Sequence, residues 1–457
     1  MLIATLIFLA AVAVAVFGGR NGLRGLVALA VVLSPMRGGL LEIADRLSLS
    51  DPGVTVNSIV PGLVAAVAIG VLFQKRPKLD DFPRPLLIIW GLIAVAVALS
   101  FLDKTVSMKL YGIGVAQYLV YPTLALAVWP LIEPGDGRRL TRLIIATGGV
   151  VAVTVLLQAM GIEGFIQAAS AQVDGFAANR YAGITGSYLH TSSFLGVTAV
   201  LAMGEFAGFK DWRTRLAGTV VLAAILSGEV LTFSRSGIVI ALIGVIALFL
   251  FAVAGRRLSF AIMVVPAIAI AIASGMIGGV APEAAGGRVA SGFNPSDDPG
   301  NKLRSESFEK GWRIFRDAPI VNQGIGHGAA STGNAQQLVD EDQPPTTVES
   351  YYLKLLVETG VVGLILIGAF LIWAIVMFSL SLLKRPDPWF ASIAAAGLGL
   401  SLYNAIYPAL ETQILALAWW LLLTLFLKYR DAEGDEPSTV APERADVSDD
   451  ALSATSA

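Results

Sequence analysis

The chain has 457 residues, of which 55% are hydrophobic and 14% are charged, whereas soluble domains average about 25% charged residues. Its net charge is -2 and its mean hydropathy is +0.73, which excludes a soluble enzyme and indicates a membrane protein. Because the chain has no cysteine and only 2 histidines, disulfides, thiol catalysis and a histidine-rich metal site are excluded as well.

Apolar runs of bilayer-spanning length recur from Leu2 to Leu427 and predict an all-α polytopic fold with about 12–13 transmembrane helices. The run at 25–36 is too short to cross a bilayer by itself, so the count varies by one. The predicted helices cover about residues 2–17, 25–36, 59–73, 85–101, 110–132, 143–162, 189–207, 216–233, 236–254, 258–278, 358–383, 389–408 and 412–427.

Every second connection between these helices is basic, as at Arg20 and Arg24 and again at Arg138 and Arg142. The positive-inside rule assigns these connections and the C-terminus to the cytoplasm. The intervening loops then lie outside, and the longest of them spans residues 279–357. This loop is where an outward-facing site has most room.

The same layout divides the chain into four regions. Transmembrane helices fill 1–174 and 381–430, and the core between them, 175–380, contains the large outer loop. The remaining region, 431–457, is acidic and rich in Ala, Ser and Pro. Because it has little to bury, we predict a disordered cytoplasmic tail.

Polar residues are scarce in this chain and concentrate in three outward-facing segments. The first segment, 179–191, contains Arg180 and leads into a helix. The second is the tight turn at 232–237, which contains Arg235 at the membrane boundary. That guanidinium either snorkels to lipid headgroups or is presented outward by the turn.

The third segment is the long loop itself. The spacing of Phe308, Trp312 and Phe315 predicts a short amphipathic helix over 304–317 that lies along the membrane surface. A glycine-rich turn follows at 324–328, and it lacks the spacing of a nucleotide-binding loop.

The end of this loop re-enters the membrane as a helix. Glu349 and Tyr352 are expected to share a face of that helix with Leu356, because residues three or four apart are neighbours on a helix. The carboxylate and the phenol would then lie at the aqueous mouth of the bundle.

With these segments, the chain resembles the O-antigen polymerase and ligase superfamily of bacterial surface-polysaccharide assembly. The Arg180 segment, with Gly183 and Gly186, resembles a further family element more loosely. The motifs that carry the resemblance follow the family's order: Thr232-Phe233-Ser234-Arg235-Ser236-Gly237; Arg304, Phe308, Pro319, Gly324 and Gly326; and Glu349 to Gly363, which resembles the signature H-N-x-Y-L-x-x-L-x-E-x-G.

The resemblance covers roughly residues 175–380 and implies a catalytic core there. It implies a donor glycan on undecaprenyl diphosphate, transferred to a hydroxyl of another glycan outside the bacterial inner membrane, without metal, nucleotide or other cofactor. Where the family's ligases have His followed by Asn, this chain has Glu349 and Ser350. This departure favours the polymerase branch.

A lipid diphosphate is already a good leaving group, so the enzyme needs cations for it, and arginine binds phosphates in a bidentate way. The motifs select Arg235 and Arg304 as catalytic residues. The further candidates for substrate binding are Arg180, Arg288, Arg313 and Arg316, of which the last three have loop solvation as an equal alternative.

The acceptor hydroxyl needs alignment and a place for its proton, and Glu349 is the predicted base. The alternative for Glu349 is a helix cap or a salt bridge to a loop arginine. His327 is expected to be structural or to contact the glycan. Tyr352 is expected to stack on a sugar, although aromatic residues also mark the membrane interface.

We therefore predict a metal-independent glycosyltransferase that polymerises lipid-linked repeat units into an exopolysaccharide, O-antigen or capsule. Its expected partners are the undecaprenyl-diphosphate-linked donor and acceptor, membrane lipid, and possible co-polymerase and flippase proteins, with no nucleic acid. Two alternatives stay open, namely a ligase that moves glycan to a lipid or protein and a flippase for the same substrates. A transporter would place charges near the bilayer midplane.

Overall fold

The computed structural model describes residues 2–49, 52–102, 107–133, 135–162, 180–209, 211–232, 234–254, 299–333, 348–384 and 387–432. Within these ranges the chain is helical, with short connecting turns and no β-strand. The prediction of an all-α polytopic membrane protein is confirmed.

The helices are numbered here in chain order. They are α1 (Leu2–Phe17), α2 (Gly19–Leu33), α3 (Arg37–Arg46), α4 (Pro52–Lys75), α5 (Arg84–Ser100), α6 (Met108–Val128), α7 (Asp136–Ala159), α8 (Tyr188–Ala207), α9 (Trp212–Leu231), α10 (Arg235–Ala254), α11 (Pro299–Arg316), α12 (Ile320–Ile325), α13 (Tyr351–Lys384), α14 (Pro388–Tyr403) and α15 (Gln413–Ala432).

Among the described residues, seven stretches of helix are long and apolar enough to cross a membrane. They are Gly19–Arg46, Pro52–Lys75, Leu110–Leu131, Asp136–Ala159, Trp212–Leu231, Tyr351–Leu382 and Gln413–Arg430. Four shorter apolar helices accompany them, namely Ala4–Phe17, Arg84–Ser100, Gly237–Phe249 and Pro388–Tyr403. Many of their apolar side chains, such as Ile88, Leu242 and Ile365, are exposed at the bundle surface, as expected of residues that face lipid.

Each predicted span inside the described ranges overlaps an observed helix, but several bounds differ, and α4, α7 and α13 each begin seven residues before the predicted span. The short run at 25–36 belongs to a helical stretch from Gly19 to Arg46, in which a 3₁₀ turn joins α2 to α3. The prediction stopped early because α3 is amphipathic and contains charged residues. The predicted helix at 258–278 lies outside the described residues.

The bundle is built around α8 and α15. Every residue of α8 from Thr191 to Phe206 is buried, and so is every residue of α15 from Ile414 to Leu427. Helices α9, α10 and α14 pack on α8. Because α8 has protein on all sides, it can hold serines, threonines and a glutamate that a lipid-facing helix would exclude.

One end of the bundle is strongly ionic. Arg24 donates to Asp136 at 2.6 Å, which ties α2 to α7, and Arg142 pairs with the buried Glu205 of α8 at 2.7 Å. Arg138 reaches Asp387 at 3.0 Å. Two of the basic connections that the sequence assigned to one side, those of Arg24 and of Arg138 with Arg142, thus lie at the same end. The loop helices and the polar α8 start lie at the other.

The acidic tail begins inside α15, which continues to Ala432 and so includes the first two residues of the predicted 431–457 region. The rest of that region lies outside the described residues, and its disorder stays a prediction.

Candidate active site

The segment that contains Arg180 lies beside the end of α9. The Tyr181 amide donates to the Leu231 carbonyl at 3.4 Å. The Arg180 guanidinium stands over the ring of Tyr188, 4.6 Å from its centroid, at the start of α8. Since Leu231 precedes the tight turn into α10, Arg180 and that turn belong to one region of the bundle.

The tight turn opens α10, whose first residue is Arg235. Thr232 and Ser234 are buried on either side of it. The Arg235 side chain lies outside the described part of the structure. Its role at the diphosphate, and the alternative of snorkelling, therefore rest on the sequence.

The loop places Arg304 against Glu349. The guanidinium Nε of Arg304, on α11, lies 3.1 Å from Oε2 of Glu349, and both side chains are about one-third exposed, at 35% and 38%. The Glu349 amide also donates to the hydroxyl of Ser307, on α11, at 3.0 Å. Two residues that were predicted separately as catalytic thus form one partly exposed ion pair.

This pair corrects one geometric expectation. Helix α13 begins at Tyr351, so Glu349 lies in the extended residues before it and does not share a helical face with Tyr352. The Tyr351 amide is held instead by the Asn404 carbonyl at 3.0 Å. Anchored to α11 on one side and to the end of α14 on the other, the start of α13 places the carboxylate at the mouth of the bundle.

Tyr407 contacts the start of α8 and lies near enough to Glu349 for their charges to interact. It follows α14, stacks on Tyr403 with ring centroids 5.4 Å apart, and its hydroxyl lies 3.2 Å from Nε2 of His190. Burial raises the pKa of the Tyr407 phenol, with smaller contributions from Tyr403 and from the carboxylates Glu411 and Glu349. The phenol therefore stays protonated and can donate a hydrogen bond at this mouth.

The other predicted arginines of the loop are held locally. Arg313 pairs with Glu309 at 2.9 Å and Arg316 with Asp317 at 3.0 Å, and both arginines are 63% exposed. Nothing described brings them to Arg304. Arg288 lies outside the described residues, so the substrate-binding role of these three stays a prediction.

The glycine-rich turn packs against a kink in α13. Gly360 has φ 68 and ψ -170, which breaks the helix and frees the carbonyls just before it. The His327 amide donates to Val357 O at 2.9 Å and the Gly328 amide to Glu358 O at 3.0 Å. The turn thus replaces helical donors that the kink removes, which supports the structural interpretation of the turn.

Glu358, close to this kink, is fully buried at 0% exposure. Its Oε2 accepts from the Tyr118 hydroxyl at 2.8 Å and the Ala330 amide at 3.0 Å, and its Oε1 accepts from Thr332. Lys354, also buried, lies 3.2 Å from the same carboxylate. A carboxylate with both oxygens occupied is a structural clamp between loop, α6 and α13.

Lys354 also reaches Glu411, in the turn before α15, at 2.9 Å. Only a paired charge is tolerated at such a depth. The sequence analysis selected neither Lys354 nor Glu411 as a candidate. An available signal was the i, i+4 spacing of Lys354 and Glu358 within an apolar run, whereas nothing local identified Glu411.

Residues 218–368 match a family model described as O-antigen ligase. This part of the chain is similar to O-antigen ligases. The resemblance to the O-antigen polymerase and ligase superfamily is confirmed. No curated protein matched the chain in a separate comparison.

The matched domain begins in α9 and ends in α13. It therefore contains the Arg235 turn, the Arg304–Glu349 pair and the glycine turn on the α13 kink. Arg180, Tyr188 and Tyr407 lie outside the matched residues, yet Arg180 and Tyr407 contact α8, which packs on the domain's α9 and α10. The mouth is thus built by the domain together with flanking helices.

The glycine turn offers a stability prediction. Gly326 has φ +85, and a Cβ there would lie 2.2 Å from Glu358 O, so we expect Gly326→Ala to destabilise the protein by roughly 1–3 kcal/mol through strain alone. The matched control is Gly324→Ala, because a Cβ at Gly324 meets nothing within 4 Å. Thermal unfolding in detergent measures both, and equal melting temperatures would contradict the turn's structural role.

Proposed function

We propose that the protein is a glycosyltransferase that polymerises undecaprenyl-diphosphate-linked oligosaccharide repeat units into an exopolysaccharide, O-antigen or capsule. The observation that carries the proposal is the Arg304–Glu349 pair at 3.1 Å, because it joins a cation for the diphosphate and a base for the acceptor within the domain that is similar to O-antigen ligases. Both side chains are about one-third exposed and can reach a substrate from the aqueous side.

In the proposed reaction, a hydroxyl oxygen of one lipid-linked glycan attacks the anomeric carbon of the other. The bond from that carbon to the diphosphate oxygen breaks, and undecaprenyl diphosphate leaves with the electron pair. Arg304 and Arg235 stabilise the negative charge that develops on the diphosphate. The hydroxyl proton passes to the Glu349 carboxylate.

The resting ion pair fits this sequence of events. In the resting state the guanidinium of Arg304 is engaged by the Glu349 carboxylate. A bound diphosphate competes for the guanidinium through bidentate charge-assisted bonds. Glu349 is then released from Arg304 and can turn to the acceptor hydroxyl, so donor binding prepares the base.

Tyr407 and Arg180 suit supporting roles at the same mouth. The protonated Tyr407 phenol can donate to a sugar oxygen, and Arg180 over Tyr188 presents a planar cation beside the Arg235 turn. Tyr352 and His327 remain candidates for glycan contact. The flanking helices would thereby give the matched domain its sugar specificity.

The proposed location is the bacterial inner membrane, with the mouth facing the periplasm and the C-terminus in the cytoplasm. Its support is the gathering of Arg20, Arg24, Arg138 and Arg142 at the opposite end of the bundle, where the positive-inside rule expects the cytoplasm. A co-polymerase that sets chain length and a flippase that delivers substrate are the proposed protein partners.

The polymerase is favoured over a ligase because Glu349 stands where the ligases have histidine. A flippase is disfavoured because the arginines that would bind the diphosphate lie in loops, whereas a transporter would place such charges at mid-membrane. A single assay separates the three. Purified protein receives lipid-linked repeat units alone, then with a lipid acceptor, and finally in sealed vesicles.

A ladder of glycans from repeat units alone supports the polymerase. Product only after addition of a different acceptor supports the ligase. Movement of substrate across the vesicle membrane without new glycosidic bonds supports the flippase and contradicts the proposal.

We also expect no metal requirement. Within the described ranges, no three His, Asp or Glu residues are grouped as a metal site, and the arginines can neutralise the diphosphate without a divalent ion. Activity on lipid-linked substrate should therefore persist in EDTA. Loss of activity that Mg²⁺ or Mn²⁺ restores would contradict this expectation.

A further inference from the structure

Three helices meet at one hydroxyl behind the Arg235 turn. Ser192, on α8, is fully buried and donates to Oε1 of Glu229, on α9, at 2.7 Å. The hydroxyl oxygen of Ser192 also accepts from the Gly237 amide of α10 at 2.8 Å and lies 3.2 Å from the Ser234 carbonyl oxygen. Ser192 therefore contacts the turn on both sides of Arg235.

Glu229 completes this junction. It is 3% exposed, and its Oε2 has no hydrogen-bond partner among the described residues. The carboxylate lies against the first turn of α10, since a Cβ on Gly237 would stand 2.3 Å from its Oε1. The first amides of a helix lack intrahelical acceptors, so the Ser192 hydroxyl, which accepts the Gly237 amide and donates to Glu229, holds the beginning of α10 at a defined position.

Burying a carboxyl in a membrane bundle costs free energy. A glutamate whose Oε1 accepts from a serine and whose Oε2 has no partner among the described residues is therefore a poor choice for packing alone. We propose that Ser192 and Glu229 are positioning residues, which fix the Ser234–Gly237 turn and thereby set where Arg235 stands. The inference rests on the proposed function, in which Arg235 stabilises the leaving diphosphate.

The neighbouring serine provides a matched control. Ser193 is equally buried on α8, and its hydroxyl has no hydrogen-bond partner among the described residues. Ser192→Ala and Ser193→Ala therefore remove the same atom one residue apart. We expect Ser192→Ala to lower kcat by about 10- to 100-fold, the loss that misplacing a catalytic group produces, and Ser193→Ala to stay within about twofold of wild type.

Glu229 is tested by retaining or removing its acceptor oxygen. Glu229→Gln still accepts from Ser192 and should keep most activity, whereas Glu229→Leu has similar size but no acceptor and should match Ser192→Ala. KM for the donor should change little, because the turn still binds the donor but no longer aligns Arg235 with the diphosphate. Equal losses for Gln and Leu would overturn the hydrogen-bond role.

A double-mutant cycle identifies the residue through which Ser192 acts. In an Arg235→Lys background the bidentate geometry is already lost, so Ser192→Ala should cost less than about threefold. If the losses caused by Ser192→Ala and Arg235→Lys multiply in the double variant, Ser192→Ala causes a general structural defect. That result would overturn the positioning role. Wild-type activity in Arg235→Lys itself would count against Arg235 in the proposed function, and Ser192 would then have nothing to position.

A second measurement does not depend on activity. Ser192→Ala removes the acceptor of the Gly237 amide, so hydrogen exchange in a peptide covering 232–240 should accelerate, while Ser193→Ala should leave it unchanged. Unchanged exchange in Ser192→Ala would overturn the junction even if the enzyme assay fails. Faster exchange in an inactive protein would support the junction and count against the proposed function alone.

Discussion

Arg304→Ala and Arg235→Ala are each expected to abolish polymer formation while the protein still inserts and folds. Removing one preorganised donor from a developing negative charge costs about 100- to 1,000-fold in rate, and a diphosphate leaving group concentrates that charge. Lysine should rescue poorly at either position, because a point charge cannot form the bidentate bonds of a guanidinium. Glycan length on gels, from membranes with equal protein, measures the effect.

The control for Arg304 lies on the same helix. Lys310 is an exposed cation of α11, so Lys310→Ala removes one positive charge from the loop without touching the pair. It should retain most activity. Normal polymer from Arg304→Ala, or equal losses in both variants, would remove Arg304 from the diphosphate site.

Glu349→Gln should lower turnover by about 10²–10⁴-fold, the effect of losing a general base. The amide has the size of the carboxylate and can still accept a hydrogen bond, so donor binding should stay near normal. If Glu349 serves only to hold Arg304, glutamine should cost little, because an uncharged acceptor preserves that contact. The variant therefore separates the base from the salt-bridge alternative.

The measurement is single-turnover glycan transfer together with donor affinity, and Glu306→Gln, which alters an exposed carboxylate of α11, is the control. Glu349→His restores the residue of the family's ligases, and we expect partial rescue without ligase activity. Near-wild-type turnover in Glu349→Gln would show that Glu349 is not the base, and His327, Tyr352 and Tyr407 would then be the candidates for activating the acceptor.

The contact between Arg304 and Glu349 is decided by the tertiary structure. Arg304 and Glu349 were each selected from sequence as separate groups, with the salt bridge as one alternative for Glu349. Their contact depends on α11 packing against the start of α13 through Gly311, where a Cβ would crowd Leu353. No local pattern specifies that approach, because the residues are 45 apart in sequence.

The same limit explains the residues that sequence analysis missed. Tyr407, Glu411 and Ser192 are ordinary in their local windows, and each gains its role from partners on distant helices. Glu229 likewise reads as one polar residue in a transmembrane run. Polar groups inside a membrane bundle are informative only once their partners are known, because burial is tolerated when hydrogen bonds or charges compensate it.

The sequence by itself determined the membrane class, the approximate helix positions and, through its motifs, the resemblance to the superfamily. The class and the helix positions could be predicted because hydrocarbon thickness fixes the length of an apolar run and the absence of water fixes the helix as the spanning structure. The tertiary structure alone decided that Glu349 precedes α13, that Glu358 and Lys354 clamp the loop, and that Ser192 lies behind the Arg235 turn. Those features arise from packing between distant helices, and packing depends on side-chain shape and hydrogen-bond direction, which hydropathy and spacing do not encode.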